Sequence, residues 1–99
     1  MSENSLRVVA RIKAKPEKIE EVRNLLSGLI EPTRKESGCV VYELLQNKKD
    51  PTDFTFVEEW ESAGALENHF STEHIQNALP RLADLAAEEP DIRTYTVVS

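Results

Sequence analysis

The two histidines of this chain, His69 and His74, stand five residues apart, just after a run that holds its only tryptophan, Phe54-Thr55-Phe56-Val57-Glu58-Glu59-Trp60. In an extended chain, side chains two apart share a face, so Phe54, Phe56, Glu58 and Trp60 line up together. A carboxylate in an apolar row costs desolvation energy unless it is paired or belongs to a site. An imidazole titrates near neutrality and suits a general base, and a buried Glu58 beside it would orient that base. Phe56 and Trp60 would then offer a flat apolar wall to an aromatic molecule, and Tyr42 a hydrogen bond to one of its oxygens. The chemistry that fits is proton abstraction from a small organic substrate.

Each of these residues also has a plainer role open to it. One histidine can pack and cap while the other is solvated. Glu58 can pair with Arg11 or Arg93 across strands. Phe56 and Trp60 can simply be core, and the Tyr42 hydroxyl can reach the surface. Helical spacing raises a further question, because five residues on an unbroken helix separate two side chains by about 140°. A break at Ser71 would swing His74 into the first turn of a new helix and could bring the two imidazoles together. Cys39 has no neighbouring base or resolving thiol, which argues against a nucleophile.

Composition narrows the field. Ninety-nine residues suit one small domain, taken as 6–97, and Met1 to Ser5 look dispensable, with neither the basic start nor the apolar stretch of a secretory signal. No run approaches the ~18 apolar residues of a membrane span. A net charge of −6 disfavours a nucleic-acid surface, and Lys13, Lys15 and Lys18 are diluted by Glu17, Glu20 and Glu21. The single Cys39 cannot form an internal disulfide and fits a reducing cytoplasm. There is no histidine pair at i, i+4 and no CxxC, so no metal site is expected, and no nucleotide or flavin motif suggests a cofactor.

The elements that must position these residues can be read from periodicity. Leu6 to Ala14 alternates as a half-buried strand, with Leu6, Val8, Ala10, Ile12 and Ala14 on one face. Pro16 stops it and opens a helix from Glu17 whose apolar stripe is Ile19, Val22, Leu25, Leu26, Leu29 and Ile30. Pro32 should kink or shorten that helix. Strands are expected near 6–14, 39–46, 54–61 and 92–98, with a hairpin around Asp50-Pro51 joining the middle two. Ser62 should cap a short helix and Ser71 a second one over Thr72 to about Glu88, bent or restarted at Pro80.

This order gives an α+β ferredoxin-like sandwich, a four-stranded antiparallel sheet with helices on one face. Val9, Val41, Leu45 and Val57 fall on the other face, and two adjacent strands with surplus apolar residues suggest association there.

Residues 38–74, with Gly-Cys-Val-Val-Tyr-Glu-Leu, Val-Glu-Glu-Trp-Glu-Ser and Leu-Glu-Asn-His-Phe-Ser-Thr-Glu-His in order, resemble the antibiotic biosynthesis monooxygenase (ABM) domain family. The resemblance extends over about Leu6 to Val97. It implies a dimeric α+β barrel, in which two such sheets pack face to face as a homodimer. Haem-degrading members carry an Asn on the first strand, where this chain has Ala10-Arg11; the paired histidines look more like the quinol-monooxygenase and sugar-isomerase branches. The expected function is cofactor-independent oxidation of a quinol-like or phenolic molecule by O2, with His69, His74 and Glu58 catalytic and Trp60, Phe56 and Tyr42 holding the substrate. Alternatives are an isomerase of a small hydroxy-ketone, which if phosphorylated would be anchored by Arg11, Arg34 or Arg93, and a non-catalytic dimeric ligand-binding module.

Overall fold

The computed structural model describes residues 5–99; residues 1–4, on which most of the dispensable start falls, lie outside the described residues. Strands β1 (Leu6–Lys13), β2 (Cys39–Gln46), β3 (Asp53–Trp60) and β4 (Asp91–Tyr95) form one sheet in the order β2-β3-β1-β4. All three neighbouring pairs are antiparallel. Helices α1 (Ile19–Ser27), α2 (Ile30–Arg34), α3 (Ala63–Phe70) and α4 (Glu73–Leu85) complete the α+β ferredoxin-like fold.

Alternation decides which sheet face is covered. Val8, Ala10 and Ile12 of β1 and Phe54, Phe56 and Trp60 of β3 are buried together with Val22, Leu25 and Leu26 of α1 and Ile75, Ala78 and Leu82 of α4. Register confirms the shared face: Val8 lies opposite Glu58, Ala10 opposite Phe56 and Ile12 opposite Phe54. Burial of these aliphatic and aromatic groups is the main stabilisation of the fold, with valine and the larger side chains contributing ~1.5–3 kcal/mol each.

Several boundaries differ from the sequence reading. Pro16 opens a 3-10 turn over Pro16–Lys18 before α1 begins. The long first helix is broken after Ser27 and resumes at Ile30, which puts Pro32 in a first turn where its missing N–H costs little. Pro80 lies inside a continuous α4, so the helix is not restarted there. Ser62 accepts a hydrogen bond from Ala65 N, as a cap should. Ser71, expected to cap the following helix, instead closes α3, and Thr72 takes the N-cap position of α4.

The β2 strand carries a bulge between Cys39 and Val41, so Val40 drops out of register and is exposed rather than sharing the face of Tyr42. Just before it, Gly38 has φ 87°, and a Cβ at that position would lie 2.5 Å from the Ala65 Cβ. Glycine therefore lets the start of β2 turn and lets α3 approach it closely.

On the open face, Val41 and Leu45 of β2 are 41% and 45% exposed, with Val57 of β3 and then Val9 of β1 half-buried beside them. Charged residues frame them: Arg7 meets Glu59 at 3.4 Å and Arg11 meets Asp53 at 3.3 Å. No helix among the described residues is long and apolar enough to cross a membrane.

Candidate functional site

The break between α3 and α4 does what the spacing of the histidines required. Thr72 is extended (φ −68°, ψ 153°), so the helical phase is reset before His74. His69 Nδ1 then lies 2.8 Å, and His74 Nε2 2.7 Å, from the same oxygen, Oε2 of Glu36. The two ring centroids are 6.3 Å apart. Burial grades outward: the side chain of His69 is 3% exposed, Glu36 11% and His74 23%.

Hydrogen-bond donors can be assigned from these contacts. An ionised carboxylate only accepts, so both facing nitrogens carry protons. Thr72 supports the assignment at His74. Its hydroxyl donates to the His69 carbonyl at 2.7 Å and lies 3.3 Å from His74 Nε2, leaving its oxygen to accept from that ring. With the Nδ1 proton of His69 held by Glu36, Nε2 of that ring keeps its lone pair. Burial lowers the His69 pKa below its ordinary 6.5, although Glu36 works in the opposite direction. His69 is thus a neutral imidazole in a fixed tautomer at neutral pH.

Glu58 does not orient an imidazole, contrary to the expectation from sequence. Its Oε1 accepts from Trp60 Nε1 at 2.8 Å, because residues two apart on β3 share a face. Nor does it pair with Arg11 or Arg93, which face Asp53 and Asp91 on the open side of the sheet. The carboxyl is 4% exposed. Burial pushes its pKa up from 4.5 to about 7, opposed by the Trp60 hydrogen bond and reinforced by the Glu36 carboxylate. Burial and then Glu58 also push the Tyr42 phenol well above its usual range. Cys39 is likewise raised, first by burial and then by Glu36 and Glu58, which disfavours a reactive thiolate.

A cavity of about 70 Å³ lies between the sheet and α4, and Tyr42, Phe56, Glu58 and His69 all contribute to its wall. Tyr42 and Phe56 are stacked with centroids 4.7 Å apart. Trp60 and His74 do not line it. Trp60 instead packs on His69 at 4.7 Å and holds Glu58, and His74 opens on a groove beside Asn77 and Arg81. Four of the six residues singled out from sequence thus converge on one cavity, and the other two stand behind it.

Glu36 is the residue that sequence reasoning missed. It is 33 residues from His69, in the turn between α2 and β2, and nothing local separates it from the other carboxylates of the chain. The β2–β3 register holds the only available signal. Cys39 lies opposite Trp60, which brings the turn before Cys39 to the end of the sheet where α3 begins.

Comparisons agree with this architecture. The uncharacterized protein sll1783 of Synechocystis sp. is 34% identical over 91% of this chain, which spans only 61% of that protein. YcnE of Bacillus subtilis, named there as a candidate monooxygenase, is 30% identical over 84% of this chain and 87% of its own length. A conserved protein from Methanosarcina mazei Go1 superposes with a TM-score of 0.89 at 37% identity, covering 95% of this chain and 93% of that one. The family model for antibiotic biosynthesis monooxygenase matches residues 5–81, and the chain belongs to that family.

Proposed function

We propose that this chain is a small monooxygenase that oxidises a quinol-like or phenolic molecule with O2, with His69 as the base. The observation that carries the reading is the buried, neutral His69 imidazole, held through Nδ1 by Glu36 and lining a cavity with Tyr42, Phe56 and Glu58. Nε2 takes the phenolic proton of the substrate. The electron-rich anion gives one electron to O2, and the two radicals combine at a ring carbon to form a C–O bond. The resulting peroxide takes back the proton held by His69 to give C–OOH. That carbon then loses its remaining hydrogen as the O–O bond breaks, leaving a carbonyl and one water. The substrate supplies all the electrons, and one oxygen atom stays on it.

Glu58, with a pKa of about 7, holds its proton on Oε2 while Oε1 is kept by Trp60, so it can donate to the developing oxyanion. The Tyr42 hydroxyl is the second donor, and Phe56 supplies the apolar wall. Glu36 is a positioning residue that fixes the His69 tautomer, and His74 anchors Glu36. The cavity is smaller than the ~300 Å³ usual for a ligand site. Phe70, Leu79 and Ile92 on its rim are all partly exposed and would swing aside to admit a ring.

A phosphorylated hydroxy-ketone suits the site less well. Arg11 and Arg93 are engaged with Asp53 and Asp91, and Arg34 donates to the Tyr42 carbonyl, so no arginine lines the cavity. Incubation of the pure protein with a panel of quinols and anthrone-like phenols should give O2 uptake of one mole per mole of substrate. Uptake no faster than autoxidation across the whole panel would refute the reading.

The working form is proposed to be a homodimer in the cytoplasm, closed over the sheet face of Val9, Val41, Leu45 and Val57. Two such faces together would bury ~2,000 Å² or more, as obligate interfaces do. Val41→Lys should dissociate the dimer or unfold it, because the ammonium would be desolvated in the interface. Light scattering at low micromolar concentration checks this; a single-chain mass for the unmodified protein would contradict it.

A further inference from the structure

We propose that Glu36, His69 and His74 form a binding site for one divalent transition-metal ion of the zinc type, and that its occupation masks the base. These residues each offer one ligand atom, and the three atoms lie within 4.8 Å of one another. Two imidazole nitrogens and one carboxylate oxygen form a borderline donor set, which favours Zn²⁺, Co²⁺ or Ni²⁺ over the oxygen-seeking Mg²⁺ and Ca²⁺. Sequence patterns do not reveal it, because the histidines are not at i, i+4 and the carboxylate lies in a distant turn.

Geometry asks for an adjustment on all three edges of the ligand set. Glu36 Oε2 is 2.8 and 2.7 Å from the two nitrogens, whereas ligands around a tetrahedral zinc are about 3.3 Å apart. The Glu36 carboxylate must withdraw by about half an ångström on each of its edges. Glu36 can make that movement, since it lies in a turn between α2 and β2 and has three side-chain torsions. The two imidazole nitrogens, at the 4.8 Å span of the set, must close by more than an ångström, and the partly exposed His74 ring is the one placed to make that movement. His74 opens on the groove lined by Asn24, Asn77 and Arg81, so an ion and its water can arrive from solvent without crossing the cavity.

Binding has a consequence for the neighbouring chemistry. A metal needs the lone pairs of His69 Nδ1 and His74 Nε2, the atoms that now carry protons. The His69 proton must then move to Nε2, and a ring that accepted a proton at the cavity becomes one that only donates. Metal and base therefore use the same imidazole in opposite tautomers. This second half rests on the proposed function, whereas the binding site does not.

The test begins with chelator-treated full-length protein titrated with Co²⁺, read by its visible absorption band and by calorimetry. One Co²⁺ per chain, displaced by Zn²⁺, is expected, with affinity falling at least about tenfold in both Glu36→Gln and His74→Ala. Circular dichroism and melting curves establish that the variants fold; His74→Ala, on the partly exposed member, is the safer of the two. Absence of one-to-one binding up to roughly 1 mM Co²⁺, or binding unchanged in both variants, overturns the site. Zinc should also abolish O2 uptake by the quinol-oxidising protein. Stoichiometric Zn²⁺ binding with undiminished uptake would uphold the site and overturn instead the masking and the assignment of His69 as base.

Discussion

Glu58→Gln should make the protein more stable at about pH 8, by up to about 3 kcal/mol, while changing little at about pH 4. The sign follows from the raised pKa. Below 4.5 the carboxyl is protonated in both folded and unfolded chains, so it contributes no difference. Between 4.5 and about 7 the unfolded chain releases the proton and the folded chain keeps it, so stability falls as pH rises. Above that window the native state holds a buried carboxylate whose resolved hydrogen-bond donor is Trp60 Nε1. Glutamine keeps the acceptor for Trp60 and the shape of the side chain, and it carries no charge to desolvate. Urea unfolding of both proteins at the two pH values is the measurement. An equal difference at both, or a loss of stability at high pH, would mean that Glu58 is well solvated or paired with a cation.

His69→Asn should lower kcat by about 10²–10⁴-fold while leaving the fold intact. The asparagine amide can take the place of Nδ1 and keep the hydrogen bond to Glu36, but nothing replaces Nε2. If the proposed function holds, the unmodified protein should give a bell-shaped pH profile. Its rising limb, where His69 becomes neutral, should have a midpoint below 6.5 because burial favours the uncharged ring. Its falling limb should lie near 7, where Glu58 ionises and stops donating to the substrate oxyanion. Glu58→Gln should remove the falling limb and leave the rising one. Full activity in His69→Asn would place the base elsewhere.

The fold was legible because its signals are local. Alternation in Leu6–Lys13 and Phe54–Trp60, together with Pro16, Gly38 and Pro90, located the strands to within a few residues. The last strand was overdrawn, ending at Tyr95 rather than Val98: its ladder with β1 stops at the Arg7–Tyr95 pair, and at most Leu6 of β1 lies beyond it. Residues lining the site were legible for the same reason, since Phe56 and Glu58 share a face by periodicity alone. Their pairings were not. Glu58 was expected beside an imidazole, yet Trp60, two residues along the same strand, reaches it first. The carboxylate that does hold the histidines comes from a turn 33 and 38 residues away, a distance no window of periodicity spans.

The Ser71-Thr72 joint acts as a phase shifter between two helical repeats. On a continuous helix His69 and His74 would diverge by about 140°, and the joint cancels that angle. Removing or adding one residue there would turn α4 by about 100°, taking His74 from Glu36 and Ile75, Ala78 and Leu82 from the core in the same motion. Chemistry and packing are therefore keyed to one length. Substitutions along either helix can be absorbed singly, but the number of residues in the joint cannot drift without losing the site and the fold together.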